Sequence, residues 1–195
     1  MTQSKPNKVL AILGGPHKNG ITAKMLEIAI RSCKKRGDDV TAISLYDKNI
    51  QYCCGCRKCL ETRECVMKND DMLEITNLVR ESDTIILASP VYWANVPAAV
   101  KNLFDRLLGV AMEETKAFPK PRLSGKKYMM LLACNTAMPF AEMFGQSSGA
   151  KRVIREFFKT AGMRPLGSVV CGDTSRKTEL SQKTVHQIEK MISRQ

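Results

Sequence analysis

Residues 8–22 read KVLAILGGPHKNGIT, and this stretch predicts how the rest of the chain folds. The apolar run at its start does not alternate with polar residues, and it stops at Gly14 and Gly15. That pattern is typical of a parallel strand that is buried on both faces and followed by a tight turn. Apolar residues then recur at helical spacing over 22–36. The stretch therefore predicts a strand, a glycine-containing loop and a helix in succession.

The same succession of strand and helix repeats along the chain. Further strands are predicted at 39–45, 83–89, 127–134 and 166–171, and further helices at 70–81, 97–107, 148–161 and 179–193. Five such units with apolar strands favour a parallel sheet covered by helices on both faces. The usual five-stranded solution is the flavodoxin-like strand order 2-1-3-4-5. We therefore predict an α/β, flavodoxin-like three-layer sandwich.

Length and loop lengths indicate the domain organisation. A chain of 195 residues with 44% hydrophobic content is long enough for one sizeable core. We therefore predict one domain over 1–195. Two segments exceed ordinary loop lengths and are candidate functional insertions: a cysteine-rich one at about 47–69 and one at 110–126 that is rich in Lys and Pro.

Composition limits the cellular compartment and the classes of binding partner that we expect. No run approaches the roughly 18 apolar residues that span a bilayer, and the first eight residues are polar, so we expect a cytoplasmic protein that does not span a membrane. The net charge is +12, but the basic residues are scattered with few aromatics between them, which does not favour nucleic acid. A basic surface suits a phosphorylated nucleotide or an acidic electron-carrier protein better.

The loop after the first predicted strand is a candidate phosphate site. In an open parallel sheet, ligands bind outside the carboxyl ends of the strands where the strand order reverses, here between the first and third strands. Glycines let backbone amides approach an anion, and the following helix offers its positive end. Neither G-x-G-x-x-G nor a P-loop is present, so a mononucleotide fits better than a dinucleotide. The candidate binding residues are Gly15, Pro16, His17, Asn19, Gly20 and Thr22.

A second loop at 89–97, SPVYWANVP, follows the third predicted strand and would lie beside the same crevice. An aromatic loop stiffened by prolines suits a flat heterocycle, whose faces need apolar cover and whose edges need hydrogen bonds. The alternative is that the aromatic residues only close the end of the sheet. A third loop at 134–140 could complete the pocket. The candidates from these two loops are Pro90, Val91, Tyr92, Trp93, Ala94, Asn95 and Asn135.

Four cysteines, Cys53, Cys56, Cys59 and Cys65, follow the spacing C-x2-C-x2-C-x5-C. Compact spacing lets one stretch of backbone surround one inorganic centre, as in [4Fe-4S] ligation, and a reducing cytosol disfavours structural disulfides. A structural zinc usually uses two C-x2-C pairs separated by a longer span. The third interpretation is that the four thiols bind no metal. Cys54 breaks the spacing and is predicted not to be a ligand.

These motifs resemble a known family. The loop at 14–22 resembles the phosphate loop of the flavodoxin-like NAD(P)H-dependent FMN reductases, and SPVYWANVPAAVKNLFDR at 89–106 resembles their flavin-ring loop and following helix. With the four cysteines, the chain is similar to the iron-sulfur flavoproteins of anaerobic microbes. This sequence has Gly15, His17 and Ile21 where the family usually has Ser, Arg and Asn. Backbone amides and Asn19 or Thr22 would have to replace those donors.

The resemblance implies an FMN protein that passes electrons between a one-electron donor such as ferredoxin, through a [4Fe-4S] cluster, and a small two-electron acceptor. It also implies a homodimer or homotetramer, in which the 110–126 insertion could form contacts. Because the cofactors supply the chemistry, no catalytic side chain is assigned. Two alternatives remain: a cluster-free NAD(P)H-dependent FMN or quinone reductase, and a flavodoxin-like electron carrier without turnover.

Overall fold

The computed structural model describes residues 6–194, and its central feature is a parallel sheet. Five strands form this sheet in the order β2-β1-β3-β6-β7, while short β4 and β5 pair antiparallel outside it. Counted over the sheet strands alone, this is the predicted order 2-1-3-4-5, so the predicted fold class is confirmed. The strands are β1 (Lys8–Leu13), β2 (Asp39–Ser44), β3 (Thr84–Pro90), β4 (Met112–Glu113), β5 (Lys120–Pro121), β6 (Lys127–Ala133) and β7 (Arg164–Cys171).

Helices cover both faces of the sheet. They are α1 (Ile21–Arg36), α2 (Cys59–Thr62), α3 (Met72–Glu81), α4 (Ala98–Arg106), α5 (Leu108–Ala111), α6 (Phe140–Met143), α7 (Gln146–Thr160) and α8 (Gln182–Ser193). Each of the five longer helices overlaps a predicted one. The last begins three residues later than predicted, because the Ser181 hydroxyl accepts from the Thr184 amide at 3.2 Å and caps it.

The sheet is buried on both sides because successive strand residues point to opposite faces. Leu10 lies in the core shared with the helices α3, α4 and α7, whereas Ala11 lies in the core shared with α1 and α8. This explains why the strands are continuous apolar runs rather than alternating ones. Both layers leave the carboxyl ends of the strands uncovered, and the loops gather there.

Both long insertions lie outside the sheet. The cysteine-rich segment contains only the four-residue helix α2, and the 110–126 segment contains the β4–β5 pair. No helix in the described part of the chain is long and apolar enough to cross a bilayer. Most of the polar start used for the cytoplasmic expectation, residues 1–5, lies outside the described residues.

Candidate functional site

A cavity of about 330 Å³ lies at the carboxyl edge of the sheet, where the loops after β1, β3, β6 and β7 meet. The switch point between β1 and β3 is the place where this fold class binds its ligands. Most of the predicted cofactor-binding residues line the cavity: Gly15, Pro16, His17, Gly20, Thr22, Pro90, Val91, Tyr92 and Asn135. The others, Asn19, Trp93, Ala94 and Asn95, do not line it.

The first wall is the loop between β1 and α1. The amide of Gly14 donates to the Ala88 carbonyl at 2.7 Å, which ties this loop to β3. Gly20 caps α1 without any side-chain hydrogen bond, and the first turn of α1 contains no acidic residue. The first amides of that helix therefore have no capping partner from a side chain and can donate to an anion.

The loop after β3 contains a tight turn that places its two aromatic residues, Tyr92 and Trp93, in different environments. Tyr92 and Asn95 exchange two backbone hydrogen bonds of 2.9 Å, and Trp93 and Ala94 between them have φ of 51° and 57°. Two left-handed residues in succession are typical of a type I′ turn. The turn leaves Tyr92 against the cavity and holds Trp93 fully exposed at its tip. Sequence reasoning placed both rings in the pocket because it did not detect this turn.

The loop after β7 adds two residues that sequence reasoning missed, Thr174 and Lys177. The Thr174 hydroxyl donates to Asn135 Oδ1 at 2.9 Å, and Lys177 Nζ donates to the Gly172 carbonyl at 2.6 Å. The position of the loop could have indicated these two residues, because it follows the carboxyl end of a strand at the same edge of the sheet as the loops after β1, β3 and β6. It has no glycine-rich or aromatic pattern that would single it out.

The four predicted cysteine ligands differ in exposure. Cys53 and Cys56 are exposed, Cys65 is half-buried and Cys59 is buried. Burial raises the pKa of the Cys59 thiol, a hydrogen bond from the Gly109 amide lowers that pKa, and the charges of Cys65, Cys56 and Cys53 raise it further. These three thiols are the ones that the spacing predicts as co-ligands of Cys59. Among the described residues, no group of three or more His, Cys, Asp or Glu is arranged to hold a metal ion. The [4Fe-4S] cluster therefore stays a prediction.

Arg106, at the end of α4, organises the cysteine insertion, and sequence reasoning did not identify it as a site residue. Its side chain is fully buried and forms an ion pair of 2.5 Å with Asp70, whose side chain is also fully buried. Its Nε donates to Cys65 Sγ at 3.2 Å, and its Nη1 donates to the Gln51 carbonyl at 2.6 Å. Its Nη2 donates to the Met67 carbonyl at 3.2 Å. One guanidinium thus joins both ends of the insertion to α4.

Two further contacts hold the insertion. Asn102 lies one turn before Arg106 on the same face of α4, and its Oδ1 accepts from the Cys53 amide at 3.1 Å. Gly109 in α5 lies so close to α2 that a Cβ on it would come within 1.9 Å of the Cys59 carbonyl oxygen. The backbone of α2 can therefore approach α5 only because residue 109 has no side chain.

Comparison with known proteins decides the family. The family model described as NADPH-dependent FMN reductase matches residues 7–170. The chain belongs to the NADPH-dependent FMN reductase family. A curated iron-sulfur flavoprotein of Archaeoglobus fulgidus is 46% identical over 101 residues, which are 52% of this chain and 46% of that protein. One of Clostridioides difficile is 27% identical over 179 residues, which are 91% of this chain and 70% of that protein.

The fold is shared with solved structures. The crystal structure of Smu.1420 from Streptococcus mutans superposes with a TM-score of 0.77 at 22% identity and covers 96% of this chain and 100% of that chain. The first curated relatives match this chain over about half of their own length. The resemblance to an iron-sulfur flavoprotein within this FMN reductase family is confirmed.

The cavity of this FMN reductase family member fits a flavin mononucleotide. Its lining includes His17 and Lys177 as basic residues and contains no carboxylate, so it suits an anionic group. Val91 and Tyr92 provide an apolar and aromatic wall of the kind that a flat ring needs. The volume of about 330 Å³ lies within the usual range for small-ligand pockets, about 300–1,000 Å³.

The side chains of the cysteine insertion are chemically suited to a metal centre that has sulfur ligands and a net negative charge. Four thiols are the donor set of iron-sulfur sites. The guanidinium of Arg106 donates to one of them, and hydrogen bonds to cluster sulfurs are a usual means of adjusting such centres. Gly55 and Arg57, between the first three cysteines, have φ of 69° and 59°, so the backbone turns sharply within this run.

Proposed function

We propose that this protein is an FMN-dependent oxidoreductase that passes electrons between a one-electron donor and a two-electron acceptor. The observation on which the proposal rests is the cavity at the β1–β3 switch point, since it joins the glycine loop, the β3 loop and Asn135. Membership of the FMN reductase family supports FMN as the ligand. The bound flavin would supply the redox chemistry, and the protein would supply binding and orientation.

The residues around the cavity have separate roles in this proposal. Backbone amides at the start of α1 would hold the flavin phosphate, because they have no side-chain cap of their own. Val91 and Tyr92 would cover the ring and exclude water from one of its faces. Asn135, held by the Thr174 hydroxyl, would hydrogen-bond an edge of the ring or the sugar chain.

We propose further that Cys53, Cys56, Cys59 and Cys65 hold a [4Fe-4S] cluster that receives single electrons. The relatives named iron-sulfur flavoproteins support this proposal. Arg106 and Asn102 would hold the insertion in place against α4, since they bind the chain at both ends of the cysteine run. An acidic ferredoxin fits as the donor, because exposed Lys58 and Arg63 flank the thiols, together with Arg57, whose guanidinium pairs with Glu114.

Assembly and location complete the proposal. We propose a cytoplasmic homodimer or homotetramer. An apolar groove of about 620 Å³ between α4, α5 and α7, together with Phe118, which is exposed in the 110–126 insertion, supports self-association. Sedimentation of the purified protein measures the subunit count, and a monomer at micromolar concentration contradicts this part.

The decisive experiment is an iron and sulfide assay on protein purified without air. We expect about four iron and four sulfide per chain and a brown colour. Cys59→Ala should abolish the broad visible absorbance and leave the flavin bands, whereas the matched control Cys54→Ala should change neither. A yellow wild-type protein without iron would overturn the cluster and leave the FMN proposal intact. A protein that retains no flavin would overturn both.

A second candidate function is a cluster-free NAD(P)H-dependent FMN or quinone reductase. It is favoured by the NADPH in the description of the matching family. Anaerobic NADPH or NADH should then bleach the FMN rapidly, and equally in a variant with all four cysteines replaced by serine. Failure of both nucleotides to bleach FMN, with bleaching by reduced ferredoxin, contradicts this alternative.

A further inference from the structure

The cavity at the carboxyl edge contains a lysine without a carboxylate partner. Lys177 lines it and belongs to no ion pair among the described residues. The two lysines in and just after the loop at 14–22 do not line the cavity and are paired, Lys24 with Glu179 at 2.6 Å and Lys18 with Asp47 at 2.8 Å. An unpaired ammonium in a concave site attracts an anionic ligand.

The loop that bears Lys177 is held at two points. Lys177 Nζ donates to the Gly172 carbonyl at 2.6 Å, and Lys24 Nζ donates to the Thr178 carbonyl at 2.5 Å. Lys24 lies in the first turns of α1, so this second contact brings the loop toward the N-terminus of that helix. An ammonium has three donor hydrogens, and the Gly172 carbonyl takes one of them.

On the opposite wall, the residues that line the cavity include one basic side chain, His17, and no lysine or arginine. Lys18 is the one lysine in the loop at 14–22, and it is paired with Asp47. The side chains of Gly15 and Ile21 contain no hydrogen-bond donor. Backbone amides there can hydrogen-bond a phosphate but do not neutralise its net charge. Among the described residues, Lys177 is the one lysine or arginine that lines the cavity, and its ammonium can neutralise this charge.

Resting on the FMN site proposed above, we propose that the ammonium of Lys177 binds the phosphate of the flavin nucleotide opposite the amides of α1. The phosphate would then be held from two sides, by the loop after β1 and by the loop after β7. Lys177 would make the site select the phosphorylated flavin, FMN, over riboflavin. The two flavins share the ring and the sugar chain and differ in the phosphate alone.

The test is a pair of binding titrations on the full-length apoprotein, followed by the quenching of flavin fluorescence. Lys177→Met should weaken FMN binding about ten- to a hundredfold, the loss expected for one hydrogen bond to a charged group, and change riboflavin binding less than about twofold. Lys177→Arg should recover most of the FMN affinity, because it restores the positive charge. Riboflavin binding serves as the check that the variant is folded.

The matched control is Arg176→Met, which removes the same charge from the adjacent, exposed residue outside the cavity. It should leave both affinities unchanged. Three results would overturn the assignment of Lys177: an unchanged FMN affinity in Lys177→Met, an equal loss for FMN and riboflavin, or the same loss in Arg176→Met. If the wild-type protein binds neither flavin, the FMN proposal itself falls and the role of Lys177 falls with it.

Discussion

At the scale of single residues, the buried ion pair of Arg106 depends most strictly on its hydrogen-bond partners. A buried guanidinium and a buried carboxylate are each costly to remove from water, and they offset that cost only when their hydrogen bonds are well made. Arg106 meets this condition, because its three nitrogens donate to Asp70, to Cys65 and to the carbonyls of Gln51 and Met67. Its neighbours Asp105 and Leu107 in the sequence gave no indication of this role.

We expect Arg106→Met to lower the free energy of unfolding by about 3–5 kcal/mol, because Asp70 is left buried without its partner. Urea unfolding measures the change. The matched control is Lys101→Met on the same helix, where the exposed pair with Asp105 is worth less than about 1 kcal/mol. Equal losses in the two variants would show that burial of the Arg106 pair adds nothing.

Asp70 should make part of the stability depend on pH. Burial raises its pKa, but hydrogen bonds from Arg106 and from the amides of Met72 and Gln51, with the charge of Arg106, outweigh burial and lower the pKa overall. A lowered folded-state pKa stabilises the protein above the unfolded value of about 4, and this contribution is lost as the pH falls through the folded pKa.

The stability difference between wild type and Asp70→Asn should therefore shrink as the pH falls below about 4. Urea unfolding of both proteins over a series of pH values measures it. A difference that stays constant down to pH about 2 would contradict the lowered pKa of Asp70.

At the scale of elements, the turn after β3 combines strain with position. Trp93 and Ala94 both have positive φ, although neither is glycine, and such residues usually cost about 1 kcal/mol or more. The turn is held by α7, since a Cβ on Gly149 would lie 2.1 Å from the Ala94 carbonyl oxygen. This close packing keeps the strained turn, and with it Tyr92, at the cavity.

Replacing Ala94 by glycine should raise the free energy of unfolding by about 0.5–1 kcal/mol, because glycine adopts positive φ without a steric cost. The same chemical change at Ala99, in the first turn of α4, should instead lower it, by up to about 1 kcal/mol. Urea unfolding of the two variants gives the comparison. Destabilisation by both would mean that the left-handed conformation of Ala94 is not strained.

At the scale of the whole molecule, the net charge of +12 should affect how partners approach. Long-range attraction raises association rates with acidic proteins, and salt screens it. The rate of reduction by an acidic ferredoxin should therefore fall steeply as NaCl rises from about 0.05 to 0.5 M. Stopped-flow absorbance measures the rate. Reoxidation by an uncharged quinone is the control and should barely change, and a ferredoxin rate independent of salt would contradict charge steering.

The sequence was sufficient for the sheet and for most of the cavity. Apolar runs such as KVLAILGG indicate buried strands from their own residues, and the strand order then places the loops after the first and third strands together. The turn at Trp93 was not predictable, because its two central residues, Trp93 and Ala94, are not the glycine or asparagine that usually occupy a type I′ turn. The position of the loop predicts Trp93, Ala94 and Asn95 as binding residues, and in the structure they do not line the cavity.

The sequence by itself determined the fold class, the switch-point cavity and the spacing of the four cysteines, because each depends on patterns within a few residues of one another. Only the tertiary structure decided that Arg106 meets Cys65, 41 residues earlier in the chain, and that Lys177 lines the same cavity as the start of α1. Periodicity predicts which face of an element is buried. It does not predict which distant polar group that face meets, because this depends on how the elements pack.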